Sequence, residues 1–164
     1  TALSAAQQDR RVIALDCDLR RRALSRSLDA DVEDGILRAC ENPERWRDYL
    51  CEEEETGLHF IPAERGFNPW RTLTGSPGFA ALLEELSTAY DLIVLDCPPA
   101  LSSAEGPTVA TFARTCVVVT AWDRTRISAV RNAMRALQRR QSLSTGVYVN
   151  RVPPAFRFGR LRPD

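Results

Sequence analysis

The sequence predicts an α/β fold, a doubly wound, mostly parallel sheet flanked by helices, and three observations predict it. Its apolar runs are continuous rather than alternating, as in strands buried on both faces. Amphipathic helical patterns lie between those runs. Two of the runs end in aspartate, at the strand ends where open α/β sheets carry their ligands. At 164 residues, 44% of them hydrophobic and 27% charged, the chain is long enough for one domain with a sizeable core.

The elements follow in order. "TALSAAQQDR" reads as the end of a helix leading into the first run, "RVIALD" (11 to 16). Further strands are predicted at "GLHFIPA" (57 to 63), "DLIVLD" (91 to 96), "TCVVVTAW" (115 to 122) and "TGVYVN" (145 to 150). "SPGFAALLEELSTAY" predicts a helix, with Ser76 as N-cap and Pro77 at the first helical position. Phe79, Leu82, Leu83, Leu86 and Tyr90 share one face of it. "RISAVRNAMRALQRR" repeats the pattern, with Ile127, Val130, Met134 and Leu137 inward and its arginines outward. The domain is expected over 1–152, and the Pro- and Arg-rich 153–164 is expected to leave the core.

Composition limits the function. The formal charge is zero, so net charge gives no argument for a nucleic-acid or membrane surface. All 22 basic residues are Arg. The five cysteines are odd in number and lack CxxC spacing, which fits a reducing, cytoplasmic setting rather than a disulfide scaffold or zinc site. No apolar run approaches the roughly 18 residues of a membrane span. His59 is the only histidine and sits in an apolar strand, so it reads as structural and leaves no Ser-His-Asp or Cys-His set. Trp46, Trp70 and Trp122 read as core or interface aromatics, and the run Glu52 to Glu55 as a solvated helix end.

The chemistry concentrates at two strand mouths. Asp16 and Asp18 end the first run, and Asp96, followed by Cys97, Pro98 and Pro99, ends the third. A carboxylate there loses hydration that a cation, donors or a proton must replace. If the two strands are neighbours, the acids can hold Mg²⁺, which takes one or two carboxylates and completes its shell with water and phosphate. The competing reading is that aspartates end strands because they start turns.

With these residues in place, the chain resembles the deviant-Walker P-loop ATPases. "VIALDCDLR" matches Walker A′ (hhhhDxDxR) and "LIVLDCPP" matches Walker B (hhhhDxPP). Of that class, which includes the MinD/ParA ATPases, the bacterial tyrosine kinases (BY-kinases) of capsule and exopolysaccharide synthesis are most similar. The likeness runs through "FNPWRTLTGSPGFAALLEELSTAYDLIVLDCPP" and the closing "GVYVNRVPP". It implies ATP and Mg²⁺ as ligands, with Asp16 and Asp18 serving metal and acceptor hydroxyl, one of them as base. It further implies Asp96 on Mg²⁺ through water, Arg20 near phosphate and Asn150 on the adenine edge. The implied partners are a membrane polysaccharide co-polymerase, which would bring the domain to the inner face of the cell membrane, and further copies of the chain; no nucleic acid is implied.

The sequence departs from the family pattern in three places. It has no Gly-rich loop ending in Lys-Ser/Thr, so that loop and its central strand are expected upstream of Thr1, unless the chain is a lysine-free relative. The tail has Phe156 and Phe158 where a tyrosine cluster is usual, and Tyr148 falls in a core strand. Cys17 and Cys97 replace Ala or Thr and are read as small buried residues in preference to oxidation-sensing thiols beside the metal site. Two alternatives stay open: a non-catalytic regulatory module and a MinD/ParA-like positioning ATPase.

Overall fold

Val12, Ile13, Ala14 and Leu15 carry no polar side chain and bury completely, which fixes the central strand; burying Ile13 or Leu15 is worth about 1.5–3 kcal/mol each. In the computed structural model, which describes residues 10–66, 68, 71–137 and 144–153, this strand is β1 (Val12–Asp16). The chain divides after Phe112 into two compact units.

The first unit has a four-stranded sheet in the order β2-β3-β1-β4, with β2 at Cys51–Glu53, β3 at Leu58–Ile61 and β4 at Leu92–Asp96. β1 pairs parallel with β3 and with β4, and β2 pairs antiparallel with β3. Short helices α1 (Ala23–Ser27) and α2 (Ile36–Glu41) follow β1, then 3₁₀ turns over Pro43–Tyr49, kinked at Arg45. α3 (Gly78–Ala89) leads into β4, and α4 (Glu105–Val109) follows it.

Alternation along β1 gives each face its own core. Ile13, Leu15 and Cys17 join Ile36, Leu37, Trp46, Phe79, Leu82 and Leu86 on one side. Val12 and Ala14 meet Leu58, Phe60, Leu24 and Leu28 on the other. Helices thus cover both faces, as a doubly wound sheet requires.

α3 buries Phe79, Leu82 and Leu86 as predicted, but Ser76 makes no side-chain cap; the helix starts at Gly78, with Pro77 already helical before it. Gly78 is obligatory for packing: a Cβ there would stand 1.6 Å from the carbonyl oxygen of Cys40 in α2. The Glu52 to Glu55 run is not a helix end. Its first two residues lie on the edge strand β2, and the rest turn back through Gly57 (φ 67°) into β3.

The second unit pairs β5 (Thr115–Ala121) parallel with β6 (Ser144–Asn150), crossed over by α5 (Ile127–Leu137). In α5, Ala133 and Leu137 are buried and Arg131 and Arg135 are exposed, whereas Ile127 is 78% exposed, against the predicted inward face. The two strands are not buried on both faces either. Val117, Val119, Val147, Tyr148 and Val149 are exposed, so Tyr148 is a surface side chain in this structure. The readings of the N-terminal helix end, Trp70, the last turn of the 126–140 pattern, and Phe156 and Phe158 fall outside the described residues.

Candidate functional site

The parallel register sets Asp16 directly beside Asp96. Both belong to the face of Val12, Ala14, Leu92 and Val94. Asp16 is wholly buried and its oxygens accept three hydrogen bonds from within the chain. Oδ2 accepts the Ser25 amide at 2.9 Å and the Ser25 hydroxyl at 2.6 Å, and Oδ1 accepts the Asp18 amide at 3.1 Å. Ser25 Oγ in turn accepts the amide of Ala63, just beyond β3, at 2.9 Å. Since that hydroxyl already accepts, its own proton is directed at Asp16.

Asp18 is also buried, and its Oδ1 accepts the Arg21 amide at 3.0 Å, closing the turn that launches α1. The turn reading is met at this corner, and the aspartates also line one strand mouth. Asp96 differs. It is exposed, and no hydrogen bond from the described residues is found on its carboxylate. Burial of its base, with repulsion from Asp16 and Asp18, pushes it up to about 6. Three acids crowded so that Asp16 and Asp18 repel the charge of Asp96 make a site that suits a hard cation.

No three carboxylate, thiol or imidazole groups among the described residues converge as a metal cage. A Mg²⁺ ion here would take one or two of the carboxylates and complete its shell with water and phosphate oxygens, which is its usual habit. The residues present fit that mode. A cavity of about 290 Å³ lined by Arg11, His59 and Tyr90 lies at the opposite ends of the strands and does not include these acids.

The other predicted residues fall as follows. Arg20 is exposed on the loop after β1. Asn150 ends β6 in the second unit, exposed, with its Oδ1 accepting the Arg151 amide at 2.7 Å. Arg22, just before α1, is half-buried. At φ 50° it sends Nε to the Ala63 carbonyl at 3.0 Å, and Nη2 reaches Ala30 O and Asp31. His59 is structural, as read: its Nδ1 meets the Tyr90 hydroxyl at 2.7 Å, and Tyr90 packs edge-on against buried Trp46. Trp122 is exposed.

Sequence reasoning missed Ser25 and Glu64. Glu64 is buried, its Oε2 accepts the Leu37 amide at 3.2 Å, and among the described residues its Oε1 has no hydrogen bond and stands 3.9 Å from Arg71. Neither sits in a run or motif. A carboxylate at a strand mouth does need donors, and that need was the one available signal for Ser25.

Thiols pair on the opposite face. The Cys17 amide donates to the Asp96 carbonyl at 2.9 Å, which in a parallel ladder makes Cys97 the register partner of Cys17. Pro98 has no N–H, so the ladder ends there. Cys17 is fully buried and its thiol is held well above the usual range, by burial first and then by Cys97 and the nearby acids.

No model of a known protein family matches the sequence. Over 147 residues it is 26% identical to a protein of Acinetobacter johnsonii named tyrosine-protein kinase ptk, covering 88% of this chain and 19% of that one. Over 150 residues it is 23% identical to the succinoglycan biosynthesis transport protein ExoP of Rhizobium meliloti, covering 90% and 19%. The chain thus spans about a fifth of the length of these relatives. Among solved structures, the MinD protein of Pyrococcus horikoshii in complex with Mg-ADP matches with a TM-score of 0.70 at 20% identity, over 94% of this chain and 66% of that one. The kinase domain of VpsO matches with a TM-score of 0.81 at 28% identity, over 93% and 75%.

The fold is the α/β fold shared by the MinD ATPases and the kinase domain of VpsO. In sequence and in fold the chain is similar to the bacterial tyrosine-kinase (BY-kinase) domains.

Proposed function

We propose that this chain is the catalytic part of a bacterial tyrosine kinase that acts in exopolysaccharide synthesis, transferring phosphate from ATP to tyrosine hydroxyls. The observation that supports it is the register-matched pair Asp16 and Asp96, with Asp18 one step away, at the mouths of adjacent parallel strands. Phosphoryl transfer asks a protein mainly for positioning and charge neutralisation. Asp16 and Asp96 would hold Mg²⁺, which when bound supplies the positive charge that the phosphates need.

The residues then divide the work. Asp16 is fixed in place by its three donors and lends its negative charge to the cation. Asp96 is exposed and able to meet a hydrated cation. Asp18, with Oδ1 in the turn, keeps Oδ2 for the acceptor hydroxyl. We assign Arg20 to phosphate and Asn150 to the adenine edge. Recruitment by a membrane polysaccharide co-polymerase and assembly with further copies of the chain complete the proposal, and no helix among the described residues is long and apolar enough to cross a membrane.

The phosphate loop is assigned to a strand that adds to β4. Leu92, Ile93, Val94 and Leu95 form a continuous apolar run yet are only half-buried, and β4 ends its sheet with one hydrogen-bonding edge open among the described residues. A further parallel strand on that edge would bring a loop to Asp96.

The test is incubation of the natural polypeptide with labelled ATP and Mg²⁺. Label on tyrosine, lost in Asp16→Asn and Asp96→Asn, is expected. Nucleotide hydrolysis without labelled tyrosine would reject the kinase in favour of a positioning ATPase. A second reading, a non-catalytic module, is favoured by one fact: the chain has no lysine to serve as a phosphate-loop ammonium. A natural polypeptide without a GxGK[ST] loop, and without nucleotide binding, would establish that reading instead.

A further inference from the structure

We propose that Cys17 and Cys97 form a reversible disulfide that clamps β1 to β4 one residue beyond the paired acids. Three observations and one general dimension point there together. The Cys17 amide to Asp96 carbonyl bond continues the β1–β4 ladder, so the two cysteines are directly opposite. Their side chains share a face, because Ile13, Leu15 and Cys17 of one strand and Ile93, Leu95 and Cys97 of the other pack in the same core cluster. Neighbouring strands stand about 4.8 Å apart, inside the Cα window of about 4.4–6.8 Å that a disulfide spans. The ladder ends at Pro98, leaving the chain beyond Cys97 without further β1 bonds to hold it against a small adjustment.

The two thiols differ in access, and this sets the order of events. Cys97 is half-buried and Cys17 has no exposed surface, so Cys97 meets an oxidant first. With a hydroperoxide as oxidant, the Cys97 sulfur attacks the O–O bond. An S–O bond forms, the O–O bond breaks, and water or an alcohol leaves with the thiol proton. The product is the sulfenic acid, oxidised by two electrons. Cys17 then attacks that sulfur. The S–S bond forms, the S–O bond breaks, and the hydroxyl leaves as water with the Cys17 proton. One peroxide is reduced for each disulfide made, and a dithiol reductant reverses the linkage.

None of the other cysteines shares this arrangement: Cys51 faces Phe60 and Cys116 faces Thr145 across their ladders, and Cys40 is on α2. The linkage is independent of nucleotide chemistry, so it can be tested whatever the outcome of the kinase assay.

The experiment treats the folded protein with hydrogen peroxide, quenches with an alkylating agent, and reads intact mass and the non-reducing peptide map. A mass loss of two hydrogens, a single cross-link joining the peptides of Cys17 and Cys97, and reversal by dithiothreitol are expected. Cys116→Ser should behave as the wild type. Cys17→Ser should stop at a sulfenic acid on Cys97 that dimedone traps. The proposal is overturned if both cysteines remain alkylatable after oxidation, if the wild type also stops at the sulfenic acid, or if the cross-link joins Cys17 to Cys40.

Discussion

Asp16 and Asp96 are the same residue type at matched positions on neighbouring strands, yet their surroundings pull them apart. Asp16 is buried among three donors; Asp96 has none from the described residues, and burial with two neighbouring carboxylates raises it to about 6 from 3.8. A carboxyl that binds its proton more tightly when folded weakens the fold as pH rises. The loss begins above the unfolded value, near 4, and is complete above about 6. Asp96→Asn should therefore raise the thermal midpoint at pH 7.5 and leave it nearly unchanged at pH 4. A variant less stable than wild type at pH 7.5 would show that no such repulsion exists. Ser25→Ala removes a donor from Asp16 and the acceptor of the Ala63 amide, all in the buried interior. A cost of about 1–3 kcal/mol in urea unfolding is expected.

At the scale of elements, short α1 and α2 owe their place to contacts distant in sequence. Arg22 holds the loop before α1 to the Ala63 carbonyl and to Ala30 and Asp31, so Arg22→Ala should cost about 2 kcal/mol by denaturant titration, where an ordinary surface arginine costs little. Gly78 lets α3 approach α2. Gly78→Ala should destabilise by about 1–3 kcal/mol, while Gly146→Ala, with nothing within 4 Å of its added Cβ, should be neutral or slightly stabilising. The long periodic patterns of α3 and the apolar runs of five strands could be read directly, because each repeats a signal over many residues. β2, α1 and α2 could not. β2 has only three residues, two of them glutamates, and α1 and α2 are held by burial of Ser25 and Ile36 rather than by an amphipathic period of their own.

At the largest scale, the order β2-β3-β1-β4 leaves β1 doubly paired and β4 paired once among the described residues. The Leu92 amide donates to the Arg11 carbonyl, so by alternation the amides of Ile93 and Leu95 face the open edge. They should exchange with deuterium at least about tenfold faster than those of Leu92 and Val94, and become protected if a natural polypeptide supplies a further strand. The sequence by itself determined the fold class, five strands, the long helices and the carboxylates at two strand ends, because burial writes itself into local runs and periods. The tertiary structure alone decided that the two strands are neighbours in a register that sets Asp16 against Asp96 and Cys17 against Cys97. It also decided that Ser25 and Arg22 serve the same corner. Those pairings join residues some forty to eighty positions apart, and no local pattern encodes which strand will lie beside which.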